Sequence, residues 1–242
     1  MNDLLFLSAI GLVAFFYSSV GHGGASGYLA LMTLFGFVPA EMRGSALVLN
    51  TMVAGIAFFS YYGTGNFNIR KLYPFIIGSI PASFLGSFIN TDFSLYKVLL
   101  GVILLIGIIR MLVTFKKNDY SLRPVSVTTA FVIGSGIGFL SGVIGIGGGI
   151  ILSLFLILMR WATIKETACL SAAFIVVNSI SGLTGLTISG FRLSTEIVFI
   201  ILVAMAGGLT GSYIGSRHLP VTTLKYFLAG VLLLASIKLI SS

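Results

Sequence analysis

Long apolar runs follow one another along almost the whole chain and are separated by short polar connectors. We count ten of them, at residues 4–20, 25–38, 45–62, 72–89, 95–115, 125–143, 150–159, 167–188, 197–214 and 223–240. Most are long enough for a helix that crosses about 30 Å of hydrocarbon, which takes about 20 residues. A β-barrel would instead show segments of about ten residues with alternating polarity. The pattern therefore predicts an all-α integral membrane protein.

Composition supports this prediction. Charged residues make up 8% of the chain and hydrophobic residues 57%, whereas about a quarter of the residues in soluble domains are charged. Because so few polar residues cannot cover a water-soluble globule, the lipid bilayer is the expected partner. The net charge of +8 comes from basic residues that stand singly or in pairs between the apolar runs. This spacing favours a role in membrane orientation and argues against nucleic-acid binding.

The order of features repeats at a lag of about 124 to 126 residues. A glycine motif in the first half of the chain is echoed in the second half: Gly21-His22-Gly23-Gly24 and Gly145-Ile146-Gly147-Gly148. We predict two homologous halves, residues 1–118 and 119–242, which have about five helical elements each and together form one transmembrane domain.

The second element of each half, residues 25–38 or 150–159, is too short to cross the bilayer at 1.5 Å per residue. If it folds back along the first element, ten basic residues gather on one side of the membrane and four on the other. If both elements form one span, the count is eight against six and the bias disappears. The positive-inside rule favours the fold-back, with both termini outside. Each half then crosses an odd number of times, so we predict inverted repeats with glycine-broken half-helices near the midplane.

Two glycine breaks separate the long first element of each half from the short second one: the first glycine break (residues 21–24) and the second (residues 145–148). Unwound backbone at membrane depth needs protein or water beside it, and the half-helix that follows points partly positive N–H groups at that space. We therefore assign anion binding to Gly21, His22, Gly23, Gly24, Gly145, Gly147, Gly148 and Gly149. A tight turn without a ligand is the alternative. Dinucleotide-binding and P-loop motifs do not fit, because the preceding strand and the Lys-Ser/Thr pair are missing from the sequence.

Uncharged polar residues in the element after each half-helix are further candidates, because they can hydrogen-bond an anion without bringing a charge into the membrane. They are Ser45, Asn50, Thr51, Ser171, Asn178 and Ser181. Hydrogen bonding between helices is the alternative role for each of them. His22 could neutralise the anion or carry a coupling proton, because imidazole titrates near neutral pH, or it could simply bond to nearby backbone.

Residues for catalysis or metal binding do not cluster in the sequence. The single cysteine, Cys169, lies far from His22 and His218, and no carboxylate pair or Ser/His/Asp set falls inside an apolar run. We therefore expect no enzymatic activity, no metal site and no other cofactor.

The chain resembles the TauE/SafE sulfite exporter family over essentially its whole length. Each half has an apolar helix, a break of the form G-x-G-G, a short apolar helix and a helix that starts with small residues. The resemblance implies a permease for small sulfur-containing anions such as sulfite, sulfoacetate or another organosulfonate. We therefore expect a secondary transporter that works by alternating access in a prokaryotic plasma membrane, with a coupling proton or cation as a further partner. A carrier of another small solute (a carboxylate or a cation), an anion channel, and a membrane scaffold without transport are the alternatives.

Overall fold

The computed structural model describes residues 2–37, 39–89, 121–193 and 197–220, together with four isolated helical positions, 223, 226, 230 and 233. Its α-helices are α1 (Asn2–Ser18), α2 (Ala25–Leu34), α3 (Pro39–Tyr62), α4 (Ile69–Ser87), α5 (Val127–Ile144), α6 (Gly149–Leu158), α7 (Ile164–Ile188) and α8 (Ile197–Tyr213). A short π-helix, Ile214–His218, continues α8. The predicted all-α class is confirmed for this part of the chain. The predicted elements at 95–115 and, apart from those four positions, 223–240 lie outside the described residues.

Within the described residues, four helical stretches are long and apolar enough to cross a membrane: Glu41–Tyr62, Val127–Ile144, Ile164–Ile188 and Ile197–His218. The apolar helices α1 and α6 are shorter. Large apolar side chains such as Leu4, Phe59 and Phe199 are exposed on the surface. This is expected where lipid covers the protein, because an apolar surface of this kind is unfavourable in water.

The short helix α2 runs back along α1. The ring of Phe6, near the start of α1, lies 5.0 Å from the ring of Phe35, which follows α2. At the other end of the pair, the Tyr17 hydroxyl lies 2.8 Å from Ser26 Oγ. The helices α5 and α6 form the equivalent hairpin, because Arg123 N–H, before α5, donates to Arg160 O, after α6, at 2.8 Å. Each glycine break therefore reverses the chain.

The long helices α3 and α7 cross the middle of the bundle in opposite directions. Asn50 of α3 bonds to Ser179 of α7 at 3.0 Å. Towards the end of α3, Tyr61 packs against Cys169 near the start of α7. The end of α7 approaches the start of α3, where a Cβ on Gly44 would meet the Phe191 ring. Of the candidate spans in the described residues, α3 and α7 are the most buried, and they lie antiparallel and carry most of the polar candidates.

Small residues let the neighbouring helices approach closely. On α5, a Cβ on Gly134, Gly138 or Gly142 would meet the backbone of Phe75, Ser79 or Ser83 of α4. The contacts of α8 with α1 follow the same scheme, with Gly207 on Gly11, Gly211 on Phe15 and, in the π-helix, Gly215 on Ser19. In both sets of contacts, the residue numbers increase in the same direction along the two helices. The helix α4 is therefore parallel to α5, and α1 is parallel to α8. Glycines spaced four apart are typical of such contacts in membranes.

The start of α7 is fixed by local sequence and by one ion pair. Thr163 Oγ1 accepts from Glu166 N–H at 3.2 Å, and the Glu166 carboxylate accepts from Thr163 N–H at 2.9 Å, which is a complete capping box. Lys71, at the start of α4, donates to Glu166 Oε1 at 2.9 Å. The starts of α4 and α7 are therefore held together at the same end of the bundle.

Candidate functional site

The two glycine breaks meet at the side chain of Asn50, which lies in the middle of α3 and is 1% exposed. Its Oδ1 accepts from the N–H of Ala25, the first residue of α2, at 3.2 Å. Its Nδ2 donates to the carbonyl of Ile146, in the second glycine break, at 3.2 Å. One uncharged amide therefore connects the start of the first half-helix with the break before the second one.

Two glycines make room for this amide. A Cβ on Gly23, in the first break, would collide with the Asn50 carboxamide, and so would a Cβ on Gly147, in the second. Gly147 also has a φ of 75°, in the left-handed region that side-chain-bearing residues rarely adopt. The glycines at these two positions are thus required by a close approach that the motif alone did not reveal.

The breaks also rest on the starts of the long helices from the opposite half. The chain at Gly21 (φ 79°) lies against the backbone of Ala168 near the start of α7. Gly145 ends α5 as a left-handed C-cap and lies against Arg43, near the start of α3. A Cβ on Gly145 would lie 3.2 Å from Arg43 O. Each half therefore positions the break of the other.

His22 starts a buried chain of hydrogen bonds from the first break into the second half. The ring Nδ1 lies 3.1 Å from Val20 O, and a carbonyl can only accept, so Nδ1 carries a proton. The ring Nε2 lies 3.0 Å from Ser153 Oγ on α6, and Ser153 Oγ lies 2.7 Å from Ser171 Oγ on α7. With a neutral ring, Nε2 accepts from Ser153, which accepts from Ser171. His22 is thus bonded both to nearby backbone and to the opposite half.

The remaining predicted polar residues have other partners. Thr51 Oγ1 donates to Leu47 O of its own helix at 2.7 Å, and Ser181 Oγ donates to Ile80 O of α4 at 2.6 Å. Asn178 Nδ2 donates to Phe174 O at 2.9 Å, and Asn178 is fully buried. Ser45 is half-buried in the second turn of α3. The structure thus brings Asn50, His22 and Ser171 to the breaks, whereas Thr51 and Ser181 direct their hydroxyls to helix backbone.

Three residues near the breaks were missed in the sequence. Ser153 connects His22 with Ser171, Ser179 accepts from Asn50 Nδ2, and Tyr28 lies over Gly24. Ser153 is the single polar side chain of α6, which is a signal that could have marked it. Tyr28 follows Gly24 by one helical turn, and helix side chains lean towards the N-terminus, which could have marked Tyr28.

The cations near the breaks are bound to carbonyls at helix ends. The Arg43 guanidinium donates to Gly142 O at 2.7 Å, to Ser87 O at 3.1 Å and to Ile89 O at 3.2 Å. Lys165 Nζ donates to Ser216 O at 3.1 Å. The C-terminal ends of helices carry partial negative charge, which these cations offset. The side-chain donors of Asn50 and Ser153, which are bonded to Ile146 and His22 of the breaks, are uncharged.

The family model for the sulfite exporter TauE/SafE matches residues 6–239. The chain belongs to this family. It is 35% identical over 242 residues to "Probable membrane transporter protein y4hK" of Sinorhizobium fredii, which covers 96% of this chain and 98% of the relative. It is 28% identical to "Probable membrane transporter protein YdhB" of Bacillus subtilis, over 90% of this chain and 89% of the relative. No solved structure gives a significant match. The family member is accordingly a multi-pass membrane transporter and not an enzyme.

Proposed function

We propose that this family member is a secondary transporter that carries a small sulfur-containing anion, such as sulfite, sulfoacetate or another organosulfonate, by alternating access. The observation that carries the proposal is the meeting of both glycine breaks at the Asn50 amide. Two half-helices begin at this place, and the N–H groups at a helix start favour an anion. The family name and the named transporter relatives support the same conclusion.

The charges at the site favour a weakly charged substrate. Each half-helix contributes a partial positive charge of about half a unit at its start, and the side chains at the breaks contribute neutral donors. Among the described residues, Gly148 caps α6 without a side-chain hydrogen bond, whereas Asn50 occupies the first N–H of α2. An anion oxygen fits the start of α6 for this reason. A monoanion, or a dianion accompanied by a proton or cation, is the substrate form that these groups can compensate.

The packing pairs support inverted repeats with halves 1–118 and 119–242. The helices α1 to α4 correspond in order to α5 to α8. The contact of α4 with α5 then corresponds to that of α8 with α1, and the contact of α4 with α7 to that of α8 with α3. The equivalent helices α3 and α7 are antiparallel, as a two-fold axis in the membrane plane requires. Alternating access would exchange the packing of the two equivalent halves.

Ligand binding to the purified protein tests the function. We expect sulfite or sulfoacetate to raise the melting temperature in a concentration-dependent manner, and neutral analogues of the same shape to have no effect. Proteoliposomes should take up the same anions with saturation. Equal stabilisation by anions and neutral analogues would contradict the proposed anion site.

A matched pair of variants locates the site. Gly23→Ala places a methyl group on the Asn50 carboxamide and should weaken anion binding at least about tenfold, the effect of losing about 1.4 kcal/mol. Gly136→Ala is the control, because a Cβ there meets no atom of the described residues within 4 Å. An unchanged affinity in a folded Gly23→Ala protein would move the site away from the breaks.

Cysteine labelling tests the proposed orientation. In a Cys169→Ala background, which removes the single native cysteine, we expect Asn2→Cys to react with a membrane-impermeant reagent from outside. Ser121→Cys, in the exposed segment before α5, should react only after the membrane is opened. Reaction of both from the same side would contradict the inverted repeats.

A further inference from the structure

The hydroxyl of Tyr28 is a buried hydrogen-bond donor without a partner among the described residues. Tyr28 lies in the first turn of α2 and is fully buried. Its hydroxyl has no hydrogen-bond partner within the part of the chain that the structure describes. Buried polar groups are bonded in the great majority of cases, and buried tyrosine hydroxyls usually find a partner. The exception therefore needs an explanation.

The hydroxyl points into the first glycine break. It lies 2.9 Å from the position that a Cβ on Gly24 would occupy, and the ring carbon that bears it lies 2.8 Å from that position. Gly24 directly precedes Ala25, whose N–H starts α2 and is bonded to Asn50. The unused O–H donor thus lies within one residue of the N–H groups that make the half-helix start attractive for an anion.

Neighbouring hydroxyls do not share this situation. Tyr17 has its hydroxyl 2.8 Å from Ser26 Oγ, so the other tyrosine beside α2 is paired. The buried hydroxyls of Ser79, Ser141 and Thr167 also have no hydrogen-bond partner among the described residues, but a short side chain in a helix can rotate to a carbonyl of its own helix. A tyrosine hydroxyl is too far from its own backbone to do so. Its partner must come from another group.

We propose that the Tyr28 hydroxyl is a specificity-determining donor that hydrogen-bonds an oxygen of the transported anion at the first glycine break. This inference rests on the proposed function and deepens it, because it requires an oxyanion, such as a sulfite or sulfonate group, with an acceptor oxygen at this position. The bound oxygen would accept the hydrogen bond for which the described residues offer the hydroxyl no partner. The ring of Tyr28 also closes the space over Gly24, so that the oxygen is held away from water.

Two tyrosine-to-phenylalanine variants separate this role from a structural one. Tyr28→Phe keeps the ring and removes only the unpaired hydroxyl. We expect the melting temperature without ligand to stay the same or rise, and the Kd for sulfite and for sulfoacetate to rise about tenfold to a hundredfold, which is typical of a lost hydrogen bond to a charged group. Tyr17→Phe is the matched control, which removes a paired hydroxyl beside the same helix. It should lower the melting temperature and leave the Kd within about twofold.

The possible outcomes distinguish the two proposals. If sulfite and sulfoacetate bind the parent and Tyr28→Phe binds them with the parent's Kd, the role of Tyr28 is wrong and the anion site stands. A lower melting temperature of Tyr28→Phe with unchanged Kd also overturns it, since the hydroxyl would then have an internal partner. If neither the parent nor Tyr28→Phe binds sulfite or sulfoacetate, the proposed function itself fails.

Discussion

The first and second glycine breaks both reverse the chain but carry different side chains. The first contains His22 and precedes a half-helix whose first N–H is bonded to Asn50. The second contains Ile146 and precedes a half-helix that starts at Gly149 and whose N-cap, Gly148, makes no side-chain hydrogen bond to the described residues. Polar groups from the first half, on Asn50 and Tyr28, and from the second half, on Ser153 and Ser179, approach the breaks.

The backbone dihedral angles of the two breaks also differ. In the second break, Gly145, Gly147 and Gly148 have positive φ, whereas in the first break only Gly21 and Gly24 do. The sequence of the second break is therefore dictated mainly by conformation and that of the first by conformation and chemistry together. The two breaks thus reverse the chain with different dihedral angles and different side chains.

Alanine substitutions at equivalent positions, Gly147 and Gly23, test this difference most strongly. In both variants the new Cβ meets the Asn50 carboxamide, and overpacking of this kind costs about 1–3 kcal/mol. Only Gly147 has positive φ, which adds about 1–2 kcal/mol. We expect Gly147→Ala to lower the melting temperature clearly more than Gly23→Ala. Equal losses would show that conformation does not distinguish the breaks.

Removal of the Asn50 side chain should loosen both breaks. Asn50→Ala leaves Ala25 N–H and Ile146 O without their partner, at a cost of about 1–3 kcal/mol. Asn50→Asp keeps the acceptor for Ala25 but loses the donor for Ile146, so hydrogen exchange should rise at the second break more than at the first. The adjacent Thr51→Ala is the control, because Thr51 bonds within its own helix. An equal rise at both breaks in Asn50→Asp would contradict the bridging geometry.

A smaller loss is expected when the link from His22 to the second half is cut. Ser153→Ala removes the hydroxyl between His22 and Ser171, and a typical hydrogen bond contributes about 1 kcal/mol. The control variant is Ser8→Ala. Ser8 is exposed, and among the described residues its hydroxyl bonds only to Leu4 O. If the two substitutions changed the melting temperature equally, the hydrogen-bond chain would have no structural role.

The smallest effect is expected at a glycine outside the breaks. Gly136 lies in α5 with open space around its Cβ position, so Gly136→Ala should stabilise the helix by about 0.5–1 kcal/mol. A slightly raised melting temperature, with unchanged anion binding, would show that the sensitivity to alanine depends on each glycine's surroundings. A much lower melting temperature of Gly136→Ala would contradict this difference between Gly136 and the glycines of the breaks.

The hairpins and the breaks could be predicted because their signals are local. The short apolar runs and the consecutive glycines lie next to each other in the sequence, and lengths and spacing are enough to find them. The start of α3 was less clear: the apolar run begins at residue 45, whereas the helix begins at Pro39, because charged residues such as Glu41 and Arg43 can extend a helix beyond the apolar core.

The partners of the polar residues could not be predicted in the same way. Asn50 and Thr51 are adjacent in the sequence, yet one reaches both breaks and the other bonds to its own helix. Which of them faces the breaks depends on how α3 is rotated against α7, and only packing between the halves decides this. The same holds for Ser153, whose partner His22 comes from the other half.

The close glycine contacts between α8 and α1 have a consequence for biosynthesis. The helix α1 packs along α8, which begins at Ile197, so α1 leaves the ribosome long before its partner has been translated. The face of α1 that receives the glycines of α8 therefore stays uncovered until α8 has been synthesised, and this contact forms late in assembly. Proteins with such distant contacts fold slowly and depend on protection of their intermediates.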